Sequence, residues 1–461
     1  MMSIRSKLPT AFLFSPRSQN TMLTYFQTYL FISFTVMAAI YAYRGYKRVY
    51  NNIQLGKKED LSGNTSERVK SVLLVAFGQK KMFKNMIPAV LHFFIYFGFI
   101  ITQIELIEIF IDGTFGTHRI IYHAIEEHSA LRAVYVFTIS FIEFVSVFVF
   151  IATVAFLSRR FIIKVPRLNK PELKGFPAKD AAIILLSEIY LLICIFSMNT
   201  ADMAIHHGEY GFLVSGLLMH GFTGWDVSSL QVIERLGWWC HFIGVLALLV
   251  YLPYSKHLHI ILAFFNTYYA RLTPKGYIAN MPEITKEIKL MMDPSATPPP
   301  VDANAAPVKF GAKDVFDLSW KNLLDAYTCT ECGRCTAACP ANQTGKLLSP
   351  RKIMMDTRDR LEEVGSANAN NGGVWKEDGK SLIENGFISV EELRACTTCN
   401  ACVEECPVLI SPLDIIVQLR RNLIMEESNA PAEWNGMFTA MENNGAPWQF
   451  SQQDRLNWKN D

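Results

Sequence analysis

Two short runs in the last third of the chain hold the residues best suited to chemistry. "CTECGRCTAACP" supplies Cys329, Cys332, Cys335 and Cys339, and "CTTCNACVEECP" supplies Cys396, Cys399, Cys402 and Cys406. Both follow the spacing C-x2-C-x2-C-x3-C-P. Thiolates are soft ligands suited to zinc, copper(I) or iron–sulfur clusters. Structural zinc is usually held by two separated pairs. Three closely spaced cysteines with a distant fourth wrap a cubic [4Fe–4S] cluster, and in two-cluster ferredoxins the fourth cysteine of each run ligates the other cluster. The expected sets are therefore Cys329, Cys332, Cys335 and Cys406 for one cluster, and Cys396, Cys399, Cys402 and Cys339 for the other. The alternative is a pair of structural zinc sites.

The elements that must carry these runs are unlike one another. Of 461 residues, 50% are hydrophobic and only 19% charged, below the quarter expected of a soluble chain. Residues 1–265 hold the apolar stretches and residues 266–461 are polar. The basic residues cluster beside apolar segments, which argues against nucleic-acid binding. Ten cysteines in a chain this long do not suggest a disulfide scaffold. Cys194 and Cys240 lie inside apolar stretches and read as buried, inert thiols.

Five segments are long enough to cross a bilayer, which takes roughly 20 residues. They are Leu23–Tyr43, Ile87–Ile111, Leu131–Leu157, Ala181–Asn199 and Leu236–Phe265. Ten Lys or Arg residues lie between the first two spans, from Arg44 to Lys84, and seven lie in "SRRFIIKVPRLNKPELKGFPAK" between the third and fourth. The other two connections carry one apiece, Arg119 and Arg235. Positive charge accumulates on the cytoplasmic side. This predicts a multi-pass protein of a bacterial-type cytoplasmic membrane, with its N-terminus outside and the cysteine runs in the cytoplasm. Met1–Asn20 lacks the apolar core of a signal peptide; a short tail and a true start at Met22 both remain open.

The expected organisation is an all-α chain: a tail over 1–22, a five-helix membrane domain over 23–270, a polar, Pro-rich linker over 271–308, and an α-helical ferredoxin domain over 309–461. "DPSATPPPVDANAAPV" reads as a tether. "DLSWKNLLDAY", "SPRKIMMDTRDRLEEV" and "PLDIIVQLRRNLIMEE" read as helices, the second with Ser349 as N-cap and Pro350 at the first helical position.

Histidines inside spans are functional candidates by default. His241 and His259 are 18 residues apart, five whole turns of a continuous helix and roughly 27 Å, so both would share a face. Each could hold a haem iron, one at each side of the membrane, whereas His257 would point away. His92 starts the second span at the level of His259 and is its expected axial partner, giving a b-type haem on the side of the cysteine runs. His118, His206 and His207 read as exposed loop residues.

The cysteine domain resembles the electron-transfer domain of succinate dehydrogenase iron–sulfur subunits and the two-cluster ferredoxin subunit of heterodisulfide reductase. "WWCHFIGVLALLVYLPYSKHLHI" resembles the last span of the respiratory nitrate reductase gamma-subunit family, which includes the cytochrome b-like membrane subunits of heterodisulfide and dissimilatory sulfite reductase complexes. The two resemblances cover residues 23–270 and 309–425. In that family two fifth-span histidines pair with two on the second span. His241, His259 and His92 match three of the four. The fourth position is Thr102, so an outer haem would need His128, or His123, as its second ligand, or would be absent.

These resemblances imply a membrane subunit that moves electrons between a quinone/quinol pool, haem b and two [4Fe–4S] clusters, to or from a cytoplasmic redox partner or catalytic subunit. Quinone contacts would involve Glu105, His241 or Lys256. The sequence shows no phosphate loop, flavin fingerprint or nucleophile–base pair, so a substrate-converting site is expected on another subunit. A membrane-anchored redox sensor and a zinc-stabilised membrane protein are the alternatives.

Overall fold

Apolar runs free of interior proline give long helices because every backbone N–H finds its carbonyl within the segment, the condition a bilayer imposes. The computed structural model of the protein describes residues 21–125, 128–274, 276–293, 295 and 309–460. Of the expected tail over 1–22, residues 1–20 lie outside them, as do 275, 294 and 296–308 of the expected linker over 271–308, whose described part forms a helix, Pro282–Met292. Five helices are long and apolar enough to span: α1 (Thr21–Ile53), α2 (Met86–Phe115), α3 (Ser129–Phe161), α4 (Phe176–Ile205) and α5 (Val227–Tyr251). The described residues form no β-sheet, only two isolated bridges.

The fifth span departs from expectation. Instead of running Leu236–Phe265, α5 ends at Tyr251 and gives way to two 3₁₀ turns, Leu252–Tyr254 and Lys256–Leu258, before a short helix His259–Tyr268. Pro253 removes a backbone donor and crowds the preceding turn. Ser255 is then extended, and its side chain accepts from the His257 N–H. His241 and His259 therefore do not lie on one continuous helix, and the five-turn phase relationship does not hold.

The chain divides into two compact units that do not follow its linear order. The first comprises the described residues up to Arg44 together with Val90–Leu157 and Ile183–Tyr251. Its core is aromatic: Phe31 stacks on Phe242 at 4.1 Å and meets Phe110 edge-on at 5.6 Å. Gly113 lets Phe31 approach, since a Cβ there would sit 2.3 Å from its ring. Outward positions such as Phe137, Ile107 and Ile193 are exposed, a surface suited to lipid and not to water.

The second unit gathers Gly45–Ala89, Ser158–Ala182 and Leu252–Asp461. The two basic connections thus fold together with the cysteine domain instead of standing free as loops. Lys57 N–H donates to the Leu318 carbonyl at 2.7 Å, and the Trp320 indole donates to the Glu59 carbonyl at 2.8 Å. Val49 and Ile53, from the end of α1, join a core with Leu323, Ile353, Leu361 and Ile416. Helix Pro350–Asn370 starts as expected, with Ser349 accepting from the Lys352 N–H and Pro350 in the first turn.

Candidate functional site

The two cysteine runs fold as one local structure repeated. In each, the second and fourth residues after the first cysteine are left-handed: Glu331 and Gly333 (φ 54° and 72°), then Thr398 and Asn400 (φ 55° and 62°). These turns curl the chain around a centre and lead into short helices, Arg334–Ala338 and Ala401–Glu405, capped by the fourth cysteines Cys339 and Cys406. The two short helices pack on each other, which carries each fourth cysteine to the opposite run.

The thiols sort accordingly. The Cys406 thiol is held up first by burial and then by Cys332 and Cys329, not by its own run. Cys335 is raised by burial, by Cys332, Cys329 and Cys406, and least by Cys402 of the other run. Cys402 is raised by burial and by Cys396, Cys339 and Cys399. Cys406 thus has Cys332 and Cys329 of the first run as neighbours, and Cys339 neighbours Cys396 and Cys402 of the second. Burial pushes the Cys329, Cys402 and Cys406 thiols up to about 12, so binding metal there releases protons. Among the described residues no three His, Cys, Asp or Glu side chains are placed to hold a single metal ion. A cubane needs a wider spread, because its four thiolates bind different irons. Backbone N–H groups also point at sulfur, from Ile410 to Cys406 at 3.3 Å and from Thr398 to Cys396 at 3.4 Å. The donor set fits two [4Fe–4S] clusters.

Charged side chains cover the first run. Glu331 pairs with Lys256 and, at 3.0 Å, with Arg358. Arg351, fully buried, donates to the Arg167 carbonyl at 2.7 Å and to Glu172 at 2.6 Å. Arg334 is buried and donates to the carbonyls of Lys81 and Met82 at 3.0 and 3.3 Å. Burial pushes the Lys256 ammonium down, against the pull of Glu331 and Asp180.

Residues 321–407 match the 4Fe-4S dicluster domain. Over 89% of its length the chain is 30% identical to the "Probable iron-sulfur-binding oxidoreductase FadF" of Bacillus subtilis (strain 168), covering 57% of that protein. Over 85% it is 25% identical to the "EtfAB:quinone oxidoreductase" of Syntrophomonas wolfei, covering 54% of it. A third similarity, 33% identity over 22% of this chain and 49% of the relative, is to one subunit of the ferredoxin/F(420)H(2)-dependent CoB-CoM heterodisulfide reductase of Methanosarcina acetivorans. The chain spans little more than half the length of the first two of these curated relatives. No solved structure matches it.

Outside the dicluster domain, the expected haem ligands occupy distinct settings. His259 opens the short helix after the Pro253 break, and its Nδ1 lies 3.0 Å from the Lys256 carbonyl. A carbonyl only accepts, so Nδ1 carries the proton and Nε2 keeps a lone pair, the orientation of a metal-ligating imidazole. Burial pushes this imidazole down, toward the neutral form. His241, on α5, makes the same kind of bond to the Leu191 carbonyl at 3.1 Å. Both residues fit a haem iron in this respect. His92 lies near the start of α2 and is partly buried. Thr102 turns its hydroxyl back to the Phe99 carbonyl at 3.2 Å. His128 and His123 are exposed.

Little in the sequence announces a polar network inside the first unit. Arg119 donates to Asp202 and to Asn199, both at 2.7 Å, and lies 3.9 Å from Glu108. Asn199 donates to Glu105 at 2.8 Å, and Glu143 accepts the backbone N–H groups of Val214 and Ser215 at 2.9 and 3.1 Å. Tyr135 donates to Glu108 at 2.5 Å. His118 and His206, expected as exposed loop residues, are partly buried and both reach Asp202, at 3.3 and 3.1 Å. The legible signal was Glu105, Glu108 and Asp112 at helical spacing on one face of α2. Beside this network lies a groove of about 650 Å³, lined by Phe137, Phe141, Phe144, Tyr210, Arg132 and Glu209.

Proposed function

We propose that this chain is a membrane electron-transfer subunit that passes electrons between a quinone/quinol pool, haem b and two [4Fe–4S] clusters, to or from a soluble redox partner on the cytoplasmic face. The observation that carries the reading is the packing of the two cysteine runs on each other within a unit that also contains both basic connections between spans. Basic connections belong on the cytoplasmic side, and chain packed with them lies on that side too. The clusters supply one-electron redox chemistry; the chain binds them, excludes water from Cys329, Cys339, Cys402 and Cys406, and sets the charge around them.

His92, His241 and His259 are the haem-ligand candidates, and the backbone-oriented imidazoles of His241 and His259 support this role. The aromatic groove beside α3 gives a lipid-soluble ring a surface to lie on. Two relatives are named as a quinone oxidoreductase and a heterodisulfide reductase, which supports a quinone-linked complex whose substrate chemistry lies with a partner subunit.

The decisive experiment is a combined optical and paramagnetic-resonance redox titration of the purified full chain, with iron and acid-labile sulfide measured on the same sample. Two cluster signals and a b-type haem reducible by a quinol analogue are expected. Zinc without acid-labile sulfide would refute the cluster reading, and a spectrum without haem would refute the histidine assignment.

A further inference from the structure

The two runs share a backbone but not an electrostatic environment. Matched by spacing, Glu331 corresponds to Thr398, Gly333 to Asn400 and Arg334 to Ala401, while Ala337 and Ala338 correspond to Glu404 and Glu405. A cation thus stands in the first run where the second has none, and two acids stand in the second where the first has alanines. Around the first run lie Arg334, Arg351, Arg358 and Lys256, with Arg167 close enough to feel both Cys332 and Arg351. Against these five cations stand three buried or half-buried carboxylates, Glu331, Glu172 and Asp180. Asp359 touches Arg358 from the surface, with 59% of its side chain exposed.

The second run differs. Arg420 donates to the carbonyls of Leu393, Arg394 and Cys396. Lys84 is matched by Glu405, and the Lys81 ammonium is bound to the Glu404 carbonyl. Cys399 is exposed, whereas no cysteine of the first set is. Water screens charge on that side.

Reduction adds one negative charge to a cluster. In a site shielded from water, fixed cations act at low effective dielectric and their effect is large; beside water the same charge is screened. We propose that Arg358 is a positioning residue that sets the reduction potential of the cluster held by Cys329, Cys332, Cys335 and Cys406, while the cluster held by Cys396, Cys399, Cys402 and Cys339 is tuned by water and is the one open to a soluble electron carrier. Glu331 holds Arg358 and Lys256 in place. This inference rests on the cluster reading above.

The test is a paramagnetic-resonance redox titration of the full chain in detergent, with iron and sulfide counted for each variant. Cys399→Ser identifies the water-exposed cluster by altering its signal. Arg358→Gln lowers the potential of the other signal by a factor of ten in its reduced-to-oxidised ratio, ~59 mV for one electron, and leaves the Cys399 signal within twofold. Arg358→Lys, which keeps the charge, restores most of the shift. If Arg358→Gln does not assemble, Arg351→Gln serves in its place, because its guanidinium lies against Gly333 and the Glu331 carbonyl of the first run, and gives a shift of the same sign. A soluble paramagnetic ion broadens the Cys399 signal and spares the other. The inference is overturned if both signals move together, if neither moves, or if the signal that moves is the one altered by Cys399→Ser. A loss of iron and sulfide already in the unsubstituted chain overturns the cluster reading itself and is told apart by that count.

Discussion

Arg358 lies 3.0 Å from one carboxylate oxygen of Glu331 while Lys256 holds the other, and the Lys256 and Glu331 side chains are 9% and 3% exposed. One acid from the first cysteine turn is thus clamped between the long helix of the dicluster domain and the segment that follows α5. Removing one member of a buried pair strands its partner, at a cost of about 3–5 kcal/mol. Glu331→Gln is therefore expected to lower the temperature at which the visible cluster absorbance is lost. The double variant Glu331→Gln with Lys256→Met should be less harmful than the sum of the two single changes, because neighbouring residues couple. Additive losses would show that the pair acts independently.

The proposed crossing of the fourth ligands gives a second expectation. Cys406→Ser should impair the cluster of the first run, although Cys406 belongs to the second by sequence. Cys339→Ser should impair the other. Iron content and the surviving resonance signal, compared with that of Cys329→Ser, report which cluster is lost. A Cys406→Ser spectrum matching Cys396→Ser would refute the crossing.

Glycine is required at one turn. Gly333 has φ 72°, and a Cβ there would lie 2.4 Å from the Arg351 guanidinium and 3.0 Å from the Arg167 carbonyl. Asn400 occupies the equivalent left-handed position in the second run with a full side chain. Gly333→Ala combines backbone strain with a clash and should destabilise the domain by about 1–3 kcal/mol, whereas Asn400→Gly should be tolerated. Urea titration of the two variants followed by cluster absorbance makes the comparison.

Stability of the dicluster domain should also respond to pH through Asp356. Burial pushes its carboxyl up to about 6 although Lys352 sits 2.6 Å away, above the ordinary value near 4. The folded state therefore binds this proton more tightly than the unfolded chain. That stabilisation is complete below about pH 4 and is lost as pH rises through 6, at most about 3 kcal/mol over the interval. Asp356→Asn should flatten the profile between pH 4 and 6 in thermal melts. An unchanged slope would exclude Asp356 as its source.

Much of this protein was written in residue types and spacing. The cysteine pattern specified a cluster-binding repeat because cubane chemistry demands three near ligands and one far. The lengths of the apolar runs specified five spanning helices because the bilayer tolerates no unpaired backbone. Other features depended on contacts between distant residues. Pro253 breaks the helix between His241 and His259, yet the same chain could have been carried through as a kinked span; only packing around Ser255 and Asp180, joined at 2.7 Å, shows that it stops. The basic connections looked like free loops marking a membrane face. Their apolar and hydrogen-bonded contacts with the dicluster domain came from residues hundreds of positions apart, such as Asn52 and Tyr327 at 2.8 Å. Arg119, Asn199 and Asp202 meet only after the helices pack. The sequence determined which groups could do chemistry, since that is local bonding and periodicity; the tertiary structure decided which charges surround them, since burial and proximity are properties of the packed chain.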